Sequence, residues 1–182
     1  AAVRISEVWY FIPMAIAASV FPSIIEAKKQ GEVLYYQRLQ KLYNLMVVLA
    51  LAVAIPMTFL SELVVTLLFG NAYVQAGSVL SIHIWAGIFV FLGVASGQWF
   101  LIENLQKIAL YRTLLGATVN IGLNFLLIPM YGVIGAAIAT VISQIAGAYV
   151  FDIMSFKTRT MFWMKTRALY SPLFFYKIWS RS

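Results

Sequence analysis

The chain has 182 residues, 63% of them hydrophobic and only 10% charged, with 13 Lys and Arg against 6 Asp and Glu for a net charge of +7. A typical soluble domain carries about 25% charged residues, and too few polar groups are present here to cover an apolar globule of this size. That excludes a soluble enzyme domain, a disordered tail and a nucleic-acid-binding module, and leaves an integral membrane protein. With no cysteine and one histidine, a disulfide framework, a Cys nucleophile and a multi-His metal centre are also excluded, and no cofactor is expected.

A membrane-crossing helix needs about 20 mostly apolar residues. Taken in chain order, the predicted spans are 5–25, 42–61, 79–102, 113–128 and 133–151. The last two share one uncharged run too long for a single crossing, and Pro129 and Gly132 mark a turn that folds it into a hairpin. All five runs are apolar all round and too long for the alternating strands of a membrane barrel. Helices also satisfy their backbone groups within one segment. The chain opens without Met and is read as the C-terminal piece of something longer.

The first span carries Arg4 and Glu7 three residues apart, hence on one face. They are candidates for anion attraction and ion coupling, or for an interfacial salt bridge among Trp9 and Tyr10. Pro13, Pro22 and Pro56 lie in or near spans and predict bends. His83, early in the third span, is a second coupling candidate or a satisfied bundle residue. Glu62, Glu103 and Asp152 fall at span ends and read as boundary charges. Gly93 and Gly97 form one GxxxG pair, and Gly135, Ala139, Ser143 and Gly147 place four small residues on one face of the fifth span. Such faces let helices approach closely.

Gly116, Asn120 and Asn124 line one face of the fourth span, with Gln144 on the fifth. Amides at membrane depth do not face lipid. They either line a hydrophilic cavity that meets sugar hydroxyls or bond between helices. Residues 152–182 form a basic, aromatic tail expected to lie on the membrane surface.

Five alternating crossings put Lys28, Lys29, Arg38, Lys41, Lys107, Arg112, Lys157, Arg159, Lys165, Arg167, Lys177 and Arg181 on one side and Arg4 alone on the other. The positive-inside rule makes the crowded side, and the C-terminus, cytoplasmic. Those cations orient the protein and meet anionic membrane lipids. There is no P-loop, dinucleotide turn, HExxH or paired carboxylate, so any transport would run on an ion gradient or on the substrate's own.

The segment ISEVWYFIPMAIAASVFPSI, the segment LLFGNAYVQAGSVLSI and the run from Gly93 to Gln144 resemble bacterial polysaccharide flippases over most of the chain. The specific marks are LFG-x-x-Y-x-x-A at 68–76 and N-x-x-L-N-x-x-L-I-P-x-Y-G-x-x-G-A-A-x-A-T at 120–140. The family resembled is that of Wzx-type O-antigen flippases, in the multidrug/oligosaccharidyl-lipid/polysaccharide exporter superfamily. The resemblance implies an all-α integral membrane protein whose five helices form most of the C-terminal six-helix bundle of a two-bundle, roughly twelve-helix transporter. From the residues themselves, no enzyme activity and no metal are expected. The resemblance implies the flipping of undecaprenyl-diphosphate-linked oligosaccharide across the bacterial inner membrane for lipopolysaccharide synthesis. Polysaccharide polymerase machinery is then a further partner. Within the superfamily the alternative is a drug or metabolite exporter. Outside it, the alternatives are part of a glycan polymerase or ligase, or a structural membrane subunit.

Overall fold

The computed structural model describes residues 2–171, with side chains from residue 5 onward. The Arg4 side chain and the aromatic and basic residues after Ser171 therefore lie outside the described residues. Among the described residues the chain is almost entirely helical and has no strand.

The first crossing is broken. Helix α1 (Ala2–Val8) stops, and α2 (Phe11–Gln30) begins two residues before Pro13, which lies in its first turn. Pro13 has no N–H for the carbonyl of Trp9. Tighter i to i−3 bonds, Tyr10 to Glu7 at 2.9 Å and Ile12 to Trp9 at 3.2 Å, carry the chain across the break. Pro22 and Pro56, by contrast, sit inside continuous helices.

Between α2 and α3 (Glu32–Phe69) there is no loop, only Gly31 at φ 146°, ψ 157°. That conformation suits glycine. The charged stretch 26–41 stays helical because its Glu, Gln, Lys and Arg are good helix formers. Lys28 and Lys29 complement the carbonyl end of α2, and Glu32 the amide end of α3. At 38 residues α3 is about 57 Å long, so it extends well beyond a hydrocarbon core of about 30 Å.

After Gly70 and a 3-10 turn at Asn71–Tyr73, α4 (Gln75–His83) and α5 (Ala86–Ile102) form a crossing with a turn at Ile84 and Trp85. Trp85 donates to Thr58 on α3 at 3.1 Å, which helps hold that turn. Helix α6 (Gln106–Ile145) folds back on itself at Gly132, whose φ 57°, ψ −136° is open only to glycine. Its two arms run antiparallel, so the helical stretch Gln106–Met154 supplies two crossings and three others supply one each. A single π-helical turn, Ala146–Val150, leads into α7 (Phe151–Met154).

The last element, α8 (Arg159–Tyr170), buries Met161, Met164, Lys165 and Ala168. That i, i+3, i+4, i+7 stripe faces helix α3: Gln40 donates to the Met164 carbonyl at 2.9 Å and Tyr43 reaches the Met161 sulfur at 3.3 Å. The start of the tail thus packs one face of α8 on the bundle and leaves Arg159, Trp163, Arg167 and Tyr170 exposed on the other. Its apolar stripe finds protein partners nearby.

Two apolar clusters result. One, at the end where the cations gather, joins α2, α3, α5 and α8 through Ile24, Leu39, Tyr43, Phe91, Phe100 and Met161. The other, at the opposite end, joins α3, α4 and the second arm of α6 through Ala54, Val65, Leu80 and Ala137. Large apolar side chains such as Phe59, Leu67 and Phe125 point outward, as they do where lipid replaces water as solvent.

Candidate functional site

A cavity of about 620 Å³ opens among α5, both arms of α6 and the break between α1 and α2. Its wall includes Tyr10, Gly93, Arg112, Thr113, Asn120, Thr140, Ser143 and Gln144. Each part is placed by a local cause. The break ahead of Pro13 brings in Tyr10. The close approach of the arms brings Asn120 to Ser143, where its amide donates at 3.2 Å. That approach depends on small residues: Gly116 lies against the Ser143 carbonyl, and Gly147 against the Arg112 carbonyl and Gly116. Gly135 meets Leu127 beside the turn, and Ala139 is fully buried. Of the other glycine pair, Gly93 faces Arg112 and Ala148, while Gly97 has open space beside it.

The hydroxyls and amides are partly engaged with one another. Thr140 and Ser143 donate to carbonyls of their own helix, and Asn124 donates to Asn120 at 2.9 Å. Asn124 itself is not part of the cavity wall; it borders an apolar groove with Ile121, Phe125 and Ile128. Its Oδ1 is buried without a hydrogen bond.

Arg112 lines the cavity. One guanidinium nitrogen donates to the Gly93 carbonyl at 3.2 Å, and the group lies 5.1 Å from the Phe100 ring centre, in cation-π range. Its Nη1 is buried with no hydrogen-bond partner. By sequence Arg112 counts among the loop cations, but it lies nearly two turns inside α6, which begins at Gln106. The signal was present: Gly116, Asn120 and Asn124 recur every four residues, and one step back reaches Arg112.

Beyond Arg112 lies a buried ion pair. Lys165 of α8 and Asp152 of α7 are both 0% exposed and 2.5 Å apart, and Lys165 also donates to the Ala148 carbonyl at 2.7 Å. Asp152 acts electrostatically on Arg112 and on Tyr43 as well. Burial pushes the Lys165 ammonium down to about 8, with Arg112 adding to that and Asp152 opposing it. Asp152, at the end of the last span, is therefore a buried ion-pair partner, and Lys165 is no surface cation. Nothing in their spacing announces the pair.

The remaining candidates lie elsewhere. His83 is buried at the opposite end, its Nδ1 2.8 Å from Ser6 Oγ. Glu7 is exposed on α1. Neither belongs to the cavity wall. Glu103 takes an ion pair from Lys28 at 2.8 Å and a hydrogen bond from Tyr35 at 2.9 Å, tying the ends of α2, α3 and α5 together. Among the described residues no cluster of His, Asp or Glu could hold a metal.

Helices of this length and apolarity define a multi-pass membrane protein, here with an open cavity of mixed polar and apolar wall and a cation on its lining. The family is more particular. A model of the lipid II flippase MurJ family matches residues 9–174, and the chain belongs to that family. It is 30% identical over 153 residues, 80% of its length, to a Haloferax volcanii protein described as a probable flippase, AglR. It is 25% identical over 144 residues, 77% of its length, to a probable low-salt glycan biosynthesis flippase, Agl15, of the same organism. The chain spans about a third of these relatives, 31% and 30% of their lengths respectively. No solved structure matches it. All three descriptions share the word flippase, and none specifies the O-antigen type resembled above.

Proposed function

We propose that this chain forms part of a flippase for lipid-linked glycans, and that the cavity walled by Asn120, Ser143, Gln144 and Arg112 receives the headgroup. The observation that carries this reading is the cavity itself. Sugar hydroxyls cannot enter hydrocarbon without losing their hydrogen bonds. Amides and hydroxyls lining a chamber of about 620 Å³ supply replacements. A phosphate linking sugar to lipid needs a cation, and a guanidinium offers paired donors to phosphate oxygens. Arg112 and Lys165 face one carboxylate, Asp152, so this part of the cavity keeps a net positive charge. A cationic drug would want the reverse, and the described wall holds no carboxylate.

In finer terms, we read the substrate as a short oligosaccharide on undecaprenyl diphosphate, moved between leaflets of a bacterial inner membrane with the basic end cytoplasmic. Glu7 and His83 stand as candidates for ion coupling, and Arg4 as a second contact for the anionic substrate.

The test is translocation of a fluorescent lipid-linked oligosaccharide by the complete gene product in vesicles. Arg112→Ala should lower the rate about tenfold to a hundredfold, the worth of a hydrogen bond to a charged group. Arg112→Lys should recover part of it. Normal translocation by Arg112→Ala at equal protein level would move the headgroup site away from this cavity.

A further inference from the structure

The buried pair Lys165–Asp152 stands behind the cavity, not in it, and it is made by the segment the sequence reading places on the membrane surface. Three observations define its position. Lys165 Nζ holds the carbonyl of Ala148, and Ala148 is a cavity-wall residue. Ala148 belongs to the π-helical turn Ala146–Val150; such turns are rare and recur at functional sites. The next residue inward, Gly147, lies 3.2 Å from the backbone of both Arg112 and Gly116 as measured from an ideal Cβ. A displacement of the π turn is therefore felt at Arg112 and along the Gly116 face.

We propose that Lys165 and Asp152 are positioning residues for the cavity. Lys165 anchors the π turn through Ala148, Asp152 supplies the counter-charge shared by Lys165 and Arg112, and α8 thereby sets the geometry of the wall from outside. This rests on the reading of the cavity as the headgroup chamber. The two residues do not touch the substrate.

The surroundings fit the role. The groups that face Lys165 electrostatically are Asp152 from α7 and Arg112 from α6, and Tyr43 from α3 faces the latter two. Two cations thus share one carboxylate. Asp152 Oδ1 and Arg112 Nη1 are each buried without a hydrogen bond. Removing Asp152 strands two cations; removing Lys165 frees the Ala148 carbonyl. On either side, α8 is tied down by Tyr149–Thr166 at 2.8 Å and Gln40–Met164 at 2.9 Å, so the helix has anchors other than the ion pair. Loss of the pair need not unfold it.

The chain has no cysteine, which makes a thiol probe clean. In the complete gene product, stripped of any cysteine outside this chain, a single Cys at Ala117, on the cavity wall beside Gly116, is labelled with a water-soluble maleimide. Lys165→Met and Asp152→Asn should each change its labelling rate several-fold and lower translocation about tenfold or more, as small misplacements of binding groups do. Lys165→Arg keeps the charge and should keep both properties. Wild-type translocation should fall as pH rises past about 8, where Lys165 loses its proton, and the Lys165→Arg protein should lose that fall. If Lys165→Met labels and translocates like wild type, or if the alkaline fall persists in Lys165→Arg, the proposal is overturned. A Lys165→Arg protein that does not accumulate leaves the labelling ratios of the other two to decide. If wild type translocates no glycan while the labelling ratios hold, the positioning role stands and the flippase reading falls.

Discussion

Gly135 is where the hairpin closes, and replacing it is the sharpest test of the arm-to-arm contact. A Cβ added there would sit 2.3 Å from the Leu127 carbonyl oxygen, 2.6 Å from its carbon and 3.1 Å from Ile128 N. All three are backbone atoms, so no side chain can swing aside. To restore even a 3.0 Å separation the arms must part by at least 0.7 Å, the difference from 2.3 Å. The turn at Gly132, three residues away, limits that retreat. Overpacking of this kind costs about 1–3 kcal/mol, against a gain of up to about 1 kcal/mol from putting Ala in place of helical Gly. The net expectation for Gly135→Ala is a loss of about 1–2 kcal/mol, seen as a lower apparent melting temperature. Gly97→Ala is the matched control: nothing lies within 4 Å of its added Cβ, so it should be neutral or slightly stabilising. The assay is thermal unfolding of the complete protein in detergent, followed by fluorescence-detected gel filtration. An unchanged midpoint for Gly135→Ala, or equal effects at both glycines, would refute the close contact and with it the arm pairing that builds the cavity.

Other outcomes follow from single features. Gly132→Ala forces a side chain into φ 57°, ψ −136° and should cost about 1–3 kcal/mol, seen as lower accumulation in the membrane and a lower melting midpoint. Asn120→Leu removes both the Ser143 and Asn124 bonds and makes the wall apolar; translocation should fall about fivefold or more with little loss of folded protein. Folding stability should rise as pH climbs from about 8 toward 10.5. In that window the unfolded Lys165 still binds its proton while the folded one has released it, so the penalty of burying the charge is relieved. Unfolding at pH 7.5 and 9.5 checks this, and Lys165→Met should flatten the difference. Stability and translocation are then expected to move in opposite directions over the same range, which a simple loss of structure would not produce.

Much of this protein is written along the chain. Sixty-three per cent apolar residues in long uncharged runs admit only helices in lipid, because each backbone group must be paired within its own segment. The turn between the last two crossings was legible because Pro129 and Gly132 interrupt such a run. The amide face was legible because a four-residue step keeps Asn120 on one side of a helix. A period tells which residues share a face, however, and not what that face opposes. Only the folded bundle shows that Asn120 meets Ser143 across the hairpin and that Asn124 turns away from the cavity. Boundary charges were the least legible. By sequence, Arg112 and Asp152 look like every other charge at a span end and Lys165 like every other cation of the tail, since hydropathy registers only where the membrane stops. Tertiary packing decides otherwise. Once α8 folds back on α3, its stripe of Met161, Met164, Lys165 and Ala168 is enclosed, and a buried ammonium persists only where a carboxylate and a carbonyl are waiting for it. Those partners lie 13 and 17 residues away along the chain, and which atoms meet is settled by the docking of the helices, which no local pattern encodes.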